Sequence, residues 1–449
     1  MPAPIPPRFP AIRLPALALA LALGLFLALF IATNTPARDL MALWLAAQEV
    51  AAGHAQAIYA PAEPVFSMRP PHEWYAMADA MGKSGAVYPY LYPPLWAFLL
   101  APFTRLASFA DFTTVVFLLN VTALVVMPQL AARLVLGAPP SPRAAFGWTL
   151  GGFAALMVTP GLVLALFQGQ PQILVAALTL FGIERTQNGR PVTGGLALGL
   201  AIALKLAPLP LALVWLVAGE RRAGLTALGL AGALGLLSIA VAGWPLHLAF
   251  LAQLRVIEHS LLLSTAVASL DQIYGIFAVF PDVTIVPMLP PDLGPSDPGW
   301  AIAAQPALYS LAKRALMLGL VLGFGLALRR TGAPARRAAL WIAAIAAFAF
   351  TGPIGWFYYY LVPIAAMPLF VQRFGLRGLF APLAALAMMS LDKSVELPAS
   401  LGPLGPILGS LGILVLIGAY LHAALAPRRG ACAENRAAAP QSDLRRAAT

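Results

Sequence analysis

Long apolar runs separated by short polar stretches dominate the chain from Leu14 to Ala426. A membrane-crossing helix needs about 20 apolar residues. Runs of that kind lie at 14–32, 112–136, 144–162, 167–182, 191–217, 223–243, 302–328, 336–351, 355–371, 375–391 and 402–426. The run 93–107 is short for a crossing and suits a half-helix. The run 191–217 carries Lys205, Pro208 and Pro210 near its middle, so two short helices stand as an alternative to one span. The count is therefore about 10 to 12 crossings, and an even number places both ends in the cytoplasm. Barrel strands would alternate over about 10 residues, and these runs do not alternate. The pattern predicts an all-α polytopic membrane protein.

Two stretches break the apolar pattern on the far side of the membrane. Residues 33–92 and 244–301 are rich in proline, aromatic and acidic residues. Within the first, Leu40, Leu43, Ala47 and Val50 recur at helical spacing, which predicts an interfacial helix over 39–53. Residues 245–263 read similarly, with Trp244 as interface anchor and Arg255, Glu258 and His259 on the polar side. The proline-rich stretch 281–299 reads as a loop beside the site. Residues 1–426 form one transmembrane domain, and the Ala/Arg-rich tail 427–449 is expected to be disordered.

Composition supports the class. Of 449 residues, 60% are hydrophobic and 10% charged, and mean hydropathy is +0.83. Soluble domains carry about 25% charged residues. The net charge of +11 would suggest nucleic acid in a soluble chain. Here the basic residues cluster in short loops, as at Arg221-Arg222, Arg329-Arg330 and Arg336-Arg337. That is the positive-inside signature, so membrane lipids are the expected partners and nucleic acid is not. The single Cys432 excludes an intramolecular disulfide. Arg8 and Arg13 precede an apolar run of about 19 residues, longer than a signal-peptide core, which favours a retained anchor.

The candidate chemistry sits where polar residues interrupt apolar sequence. Asp39 follows the first run and is either a general base or a solvated residue or helix cap; Arg38 is beside it. Tyr88, Tyr90, Tyr92 and Trp96 surround Pro93-Pro94 and suit an aromatic belt or a sugar-stacking face. Gln168, Gln170 and Gln172 flank Gly169 and Pro171; amides at membrane depth must pair or line a wet cavity. Lys205 is a lone cation between apolar residues, a functional group or a snorkelling one. Arg255, His259 and Asp271 form a second polar wall, where Arg suits a phosphate and an interfacial helix face is the plainer reading. Phe357 to Tyr360 place four aromatics in a row after Gly355-Trp356, a belt or a substrate platform. No phosphate-binding loop, metal-ligand spacing or G-x-S-x-G motif is present.

Taken in order, these segments resemble glycosyltransferase family 87. The resemblance rests on Asp39 through Ala47 with Gly53 and Tyr59; on Tyr92-Pro93-Pro94-Leu95 with Pro102; on Gly169-Gln170-x-Gln172; on Gly199-Leu200 with Lys205 and Pro208; and on Gly352-Pro353-Ile354-Gly355-Trp356 with Tyr359. The chain departs from the pattern at Gln172, where Asn is usual, at the tyrosine in the late histidine position, and at Asp271, where Asn is more usual. The resemblance implies a GT-C-like bundle with extra-cytoplasmic juxtamembrane helices and loops. It implies an integral inner (plasma) membrane hexosyltransferase, with mannose as the expected sugar. Transfer would run from a polyprenyl-phosphate donor to a lipid or glycan acceptor, at a site facing the periplasm or exterior. By the same resemblance Asp39 is the base. Arg255 first, then Lys205 or Arg38, steadies the leaving phosphate. Tyr92, Gln170, Gln172, His259, Asp271, Trp356 and Tyr359 line the substrate. No cofactor is expected: no nucleotide is needed, and no dedicated metal site is evident in the sequence. A transporter or flippase of lipid-linked sugars, or a non-catalytic export protein, is the rival class.

Overall fold

The computed structural model describes residues 37–278, 283–287, 289–294, 299–394 and 404–426, with Leu21 and Gly24. The first predicted run, the tail with Cys432, and parts of the 281–299 loop lie outside the described residues. The chain is an all-α polytopic membrane protein. Among the described residues four helices are long and apolar enough to cross a membrane: Phe109–Leu136, Arg221–Ala242, Ala307–Arg330 and Ile407–Leu425. A fifth crossing arises if Pro142–Met157 and Pro160–Gln168, bent by 75°, are one span.

The remaining predicted runs fold as shorter pieces, and the sequence supplies the reason. The run 191–217 is two helices, Pro191–Leu204 and Leu209–Ala218, because Pro208 cannot donate and disfavours a helical conformation before it. The run 167–182 breaks at Gly169, whose φ of +65° favours glycine. A new helix, Gln172–Gln187, follows. The run 93–107 is the half-helix Pro94–Leu100 with a 3-10 turn, Ala101–Arg105. The run 355–371 divides into Phe357–Tyr360, Leu361–Ala365 and Pro368–Phe374.

The interfacial helix forms as Arg38–Ala51. The second one ends earlier than its periodicity predicts. It spans Trp244–Glu258, and Ser260–Leu263 turns into strand β1. With β2, Thr284–Val286, and β3, Trp300–Ala304, it forms a small antiparallel sheet in the order β1-β3-β2. Ser260 lies opposite Ala304, and Val286 opposite Trp300.

Two packing modes hold the bundle. Helix Pro191–Leu204 lies backbone to backbone on Arg221–Ala242. A Cβ on Gly195 would stand 2.6 Å from the Ala223 carbonyl, and one on Gly199 would stand 2.7 Å from that of Ala227. That is small-residue packing suited to a lipid environment. Elsewhere large side chains interlock: Trp215 and Trp341 meet at 6.1 Å, both essentially buried. Leu225, Leu236 and Val241 on Arg221–Ala242 point outward and are exposed. In water that surface costs about 25 cal/mol per Å²; in lipid it costs nothing. Helices Phe109–Leu136 and Gln172–Gln187 lie against each other and together connect the two ends of the bundle.

Candidate active site

Helix breaks build the site. The turn at Gly169 is pressed on the Asp39 helix: a Cβ there would stand 2.6 Å from Leu40 Cδ1. This contact carries Gln170 to Asp39, and the Gln170 Nε2 group donates to Asp39 Oδ2 at 2.6 Å. The same amide donates to the Tyr358 hydroxyl at 3.0 Å. The Gln170 carbonyl accepts from Asn120 Nδ2 at 3.3 Å. Asp39 is not the helix cap, because Ala37 holds that position, with φ 47° and no side-chain cap.

Lys205 stands in the break between Leu204 and Leu209, with extended backbone at φ −157°, ψ 124°. Trp96 Nε1 donates to Ala203 O at 2.8 Å, tying that break to the Pro93-Pro94 segment. Two further bonds hold the segment: the hydroxyls of Tyr59 and Tyr90 donate to Tyr92 O and Pro93 O, at 2.8 and 2.7 Å. Lys205 Nζ lies 4.6 Å from the Tyr359 ring centre and 5.4 Å from that of Tyr358. Among the described residues it has no carboxylate within salt-bridge distance.

These groups line one cavity of about 520 Å³, within the range of ligand sites. Asp39, Tyr92, Gln170, Gln172, Lys205, Trp356 and Tyr359 are all on its wall. Trp356 stacks on Tyr358 at 5.8 Å and meets Trp300 edge-on at 5.9 Å. Burial strips water from the Asp39 carboxylate and pushes its pKa from 3.8 up to about 6, against the opposing pull of Lys205, Gln170 and Arg38. Three buried acceptors on this wall, Oε1 of Gln168, Gln170 and Gln172, have no donor. A ligand rich in hydroxyl groups would satisfy them.

Backbone strain collects at the same place. Met68, φ 60°, and Ile354, φ 48°, line the cavity, and Ala37 lies two residues before Asp39. Such conformations cost of order 1–3 kcal/mol each outside glycine and concentrate at functional sites.

Other sequence candidates lie elsewhere. Arg38 faces the Tyr88 ring at 5.8 Å and is not on the cavity wall. Arg255 is exposed on its helix and is not on the cavity wall. His259 Nδ1 pairs with Arg255 O at 2.8 Å, and its Nε2 lies 3.4 Å from Arg314. Asp271 is buried away from the cavity, bound to Lys313 Nζ at 2.8 Å and the Tyr309 hydroxyl at 2.8 Å. The structure thus brings seven of the candidates to one cavity and leaves Arg38, Arg255, His259 and Asp271 off its wall. Tyr88 and Glu258 also lie on the wall, and the structure adds Trp300. Glu258 is bound by Arg314 at 2.9 Å. Asn120 was detectable as an amide inside an apolar run, whereas nothing local marked Trp300. Among the described residues no cluster of three or more His, Cys, Asp and Glu is placed to hold a metal.

A half-buried carboxylate and a lysine facing one largely apolar, aromatic-walled cavity in a helical membrane protein define a candidate membrane enzyme. The profile of glycosyltransferase family 87 matches residues 90–352, more than half of the 449-residue chain, and the chain belongs to that family. The match contains Tyr92, Gln170, Gln172 and Lys205, begins after Asp39, and ends before Trp356 and Tyr359. No curated protein matches the chain.

Proposed function

We propose that this glycosyltransferase moves a hexose, with mannose the leading candidate, from a polyprenyl-phosphate donor to a hydroxyl of a lipid or glycan acceptor. The reaction would take place on the non-cytoplasmic face of the plasma membrane. The single observation that carries the reading is the pairing, across one cavity, of Asp39 and Lys205, with Gln170 holding the carboxylate at 2.6 Å.

In the proposed step Asp39 takes the proton of the acceptor hydroxyl as that oxygen bonds to the anomeric carbon. The bond from that carbon to the donor phosphate oxygen breaks, and its electron pair leaves with the lipid phosphate. Attack from the opposite side inverts the centre. Lys205, not engaged by a carboxylate, faces the developing phosphate charge. This replaces Arg255, the first choice on sequence, because Arg255 does not reach the cavity. The unpaired amide oxygens of Gln168, Gln170 and Gln172 would accept sugar hydroxyls, and Trp356 and Tyr359 offer ring faces. The apolar part of the wall, including Leu206, Leu209, Phe250 and Leu254, suits a prenyl chain. The two-carboxylate arrangement used by glycoside hydrolases is not needed, since the donor already carries a leaving phosphate.

The test is incorporation of radiolabelled sugar into membrane lipid or glycan, with purified protein and a panel of polyprenyl-phosphate sugars. Transfer from polyprenyl-phosphate-mannose is the expected result. Transfer only from another lipid-linked hexose would change the sugar, and transfer only from nucleotide sugars would overturn the donor class.

A further inference from the structure

The bundle has a second polar cavity, of about 310 Å³, lined by residues that include Arg133, Thr186, Gln187, Asn188, Glu220 and Arg337. It lies at the opposite end of helices Phe109–Leu136 and Gln172–Gln187 from the Asp39 site. Gln172 lines the first cavity and Gln187 the second, about 22 Å apart along the helix at 1.5 Å per residue. This is the basic end of the bundle, where Arg221-Arg222, Arg329-Arg330 and Arg336-Arg337 gather.

A buried charge network lies behind its wall, joined to it through Arg133 and Asn188. Glu184 is completely buried and binds Arg133 Nε at 2.8 Å, and Arg185 Nη2 at 2.7 Å. Asn188 Nδ2 donates to the same carboxylate at 3.0 Å. At the rim Arg337 pairs with Glu220 at 3.2 Å. On the wall itself two guanidinium groups, those of Arg133 and Arg337, accompany one carboxylate, Glu220, while Arg185 and Glu184 pair behind it.

The decisive feature is which half of the hydrogen bond is missing. Arg133 is 6% exposed, and its Nη1 has no acceptor; Gln187 Nε2 also has none. Both residues line the cavity. An orphaned buried donor needs an acceptor, and an arginine fork matches a tetrahedral oxyanion. The N-terminus of helix Pro334–Thr351 adds positive character, with Pro334 on the wall. Two helices end here as well, and their C-terminal carbonyls would favour a cation. The orphaned side-chain atoms at this cavity are nonetheless both donors, so the anion is the better match. At the Asp39 cavity the orphaned atoms are mixed: three glutamine acceptors with Thr179 Oγ1 and Trp300 Nε1.

We propose that this cavity is a second ligand site, at the basic end of the bundle, for a phosphate-bearing anion gripped by Arg133 and Gln187. Such a group belongs either to free phosphate or to an anionic lipid headgroup, and the two sources can be separated. The full-length protein is reconstituted in phosphatidylcholine nanodiscs, and its melting temperature is followed as inorganic phosphate is added. A parallel set of discs contains increasing phosphatidylglycerol. A rise with phosphate assigns the free anion, and a rise confined to phosphatidylglycerol assigns the headgroup. In either case Gln187→Leu, which leaves the Glu184 ion pairs in place, should weaken half-saturation about tenfold. Arg133→Lys, which keeps a charge beside Glu184, should do the same through loss of the fork. No rise in either disc set, or an equal rise in wild type and both variants, would overturn the site.

Discussion

Asp39 and Asp271 are both carboxylates that burial pushes upward in pKa, yet their surroundings separate them. Lys313 contacts both oxygens of Asp271, at 2.9 and 2.8 Å, and the Tyr309 hydroxyl donates to Oδ1 at 2.8 Å. Stacking of Tyr309 on Tyr274, with ring centres 3.8 Å apart, fixes that donor. Asp39 receives one amide bond, from Gln170, and its nearest cavity cation, Lys205, forms no ion pair with it. A carboxylate ion-paired through both oxygens is committed to its lysine, whereas one with a single amide partner facing an open cavity can take an incoming proton. The direction of the pKa shift does not distinguish the two; the partners do.

The largest expected difference is in catalysis. Asp39→Asn keeps the shape of the side chain and should lower transfer about 10²- to 10⁴-fold, the usual contribution of a general base. Asp271→Asn should leave transfer per folded molecule close to wild type. Stability should show the reverse order. Removing one partner of a buried ion pair costs about 3–5 kcal/mol, so Asp271→Asn should melt well below wild type, as read by thermal unfolding in detergent. Asp39→Asn should melt at or slightly above wild type.

Lys205 sharpens the same contrast. Lys205→Met should reduce kcat/KM about 10²-fold, as expected for loss of a group that stabilises developing charge, with little loss of stability because no ion pair is broken. Kinetics with a saturating acceptor would check it.

Next in size is the response to pH. Only ionised Asp39 accepts a proton, so kcat/KM should fall about tenfold per unit below about 6. Stability should move the other way. The folded chain holds the Asp39 proton more tightly than the unfolded one, so this contribution is complete below 3.8. It is lost as pH rises through about 6. The smallest effect is expected at the turn beneath the site. Gly169→Ala must place a side chain at φ +65° and 2.6 Å from Leu40, costing about 1–3 kcal/mol and loosening the Gln170–Asp39 bond.

Much of this was legible in the sequence because the chain punctuates itself. A polar residue beside Gly or Pro in an apolar run marks a helix break, and breaks at membrane depth occur where they line protein cavities. Gln170, Gln172 and Lys205 were identifiable on that ground, and the structure places all three on the Asp39 cavity. Periodicity reads less. The spacing in 245–258 separates a polar from an apolar face but does not say which way the polar face turns; Arg255 turns outward. Asp271 could not be recognised as paired because Lys313 lies 42 residues away, on a helix whose run 302–328 gave no sign of the contact. Strand β1 was hidden by Leu261, Leu262 and Leu263, an apolar string equally compatible with a helix end. The shorter helices have a related cause. Hydropathy counts apolar residues, while Pro208, Gly169 and Pro368 decide where a run stops being one rod.

The central claim is that the sparsely partnered carboxylate does the chemistry and the ion-paired one holds the fold. The most direct measurement is radiolabelled sugar transfer by Asp39→Asn and Asp271→Asn side by side, at matched amounts of folded protein and the pH of maximal wild-type activity. The account predicts transfer lost at least 10²-fold in Asp39→Asn and retained in Asp271→Asn. Full transfer by Asp39→Asn, or loss confined to Asp271→Asn, would contradict it.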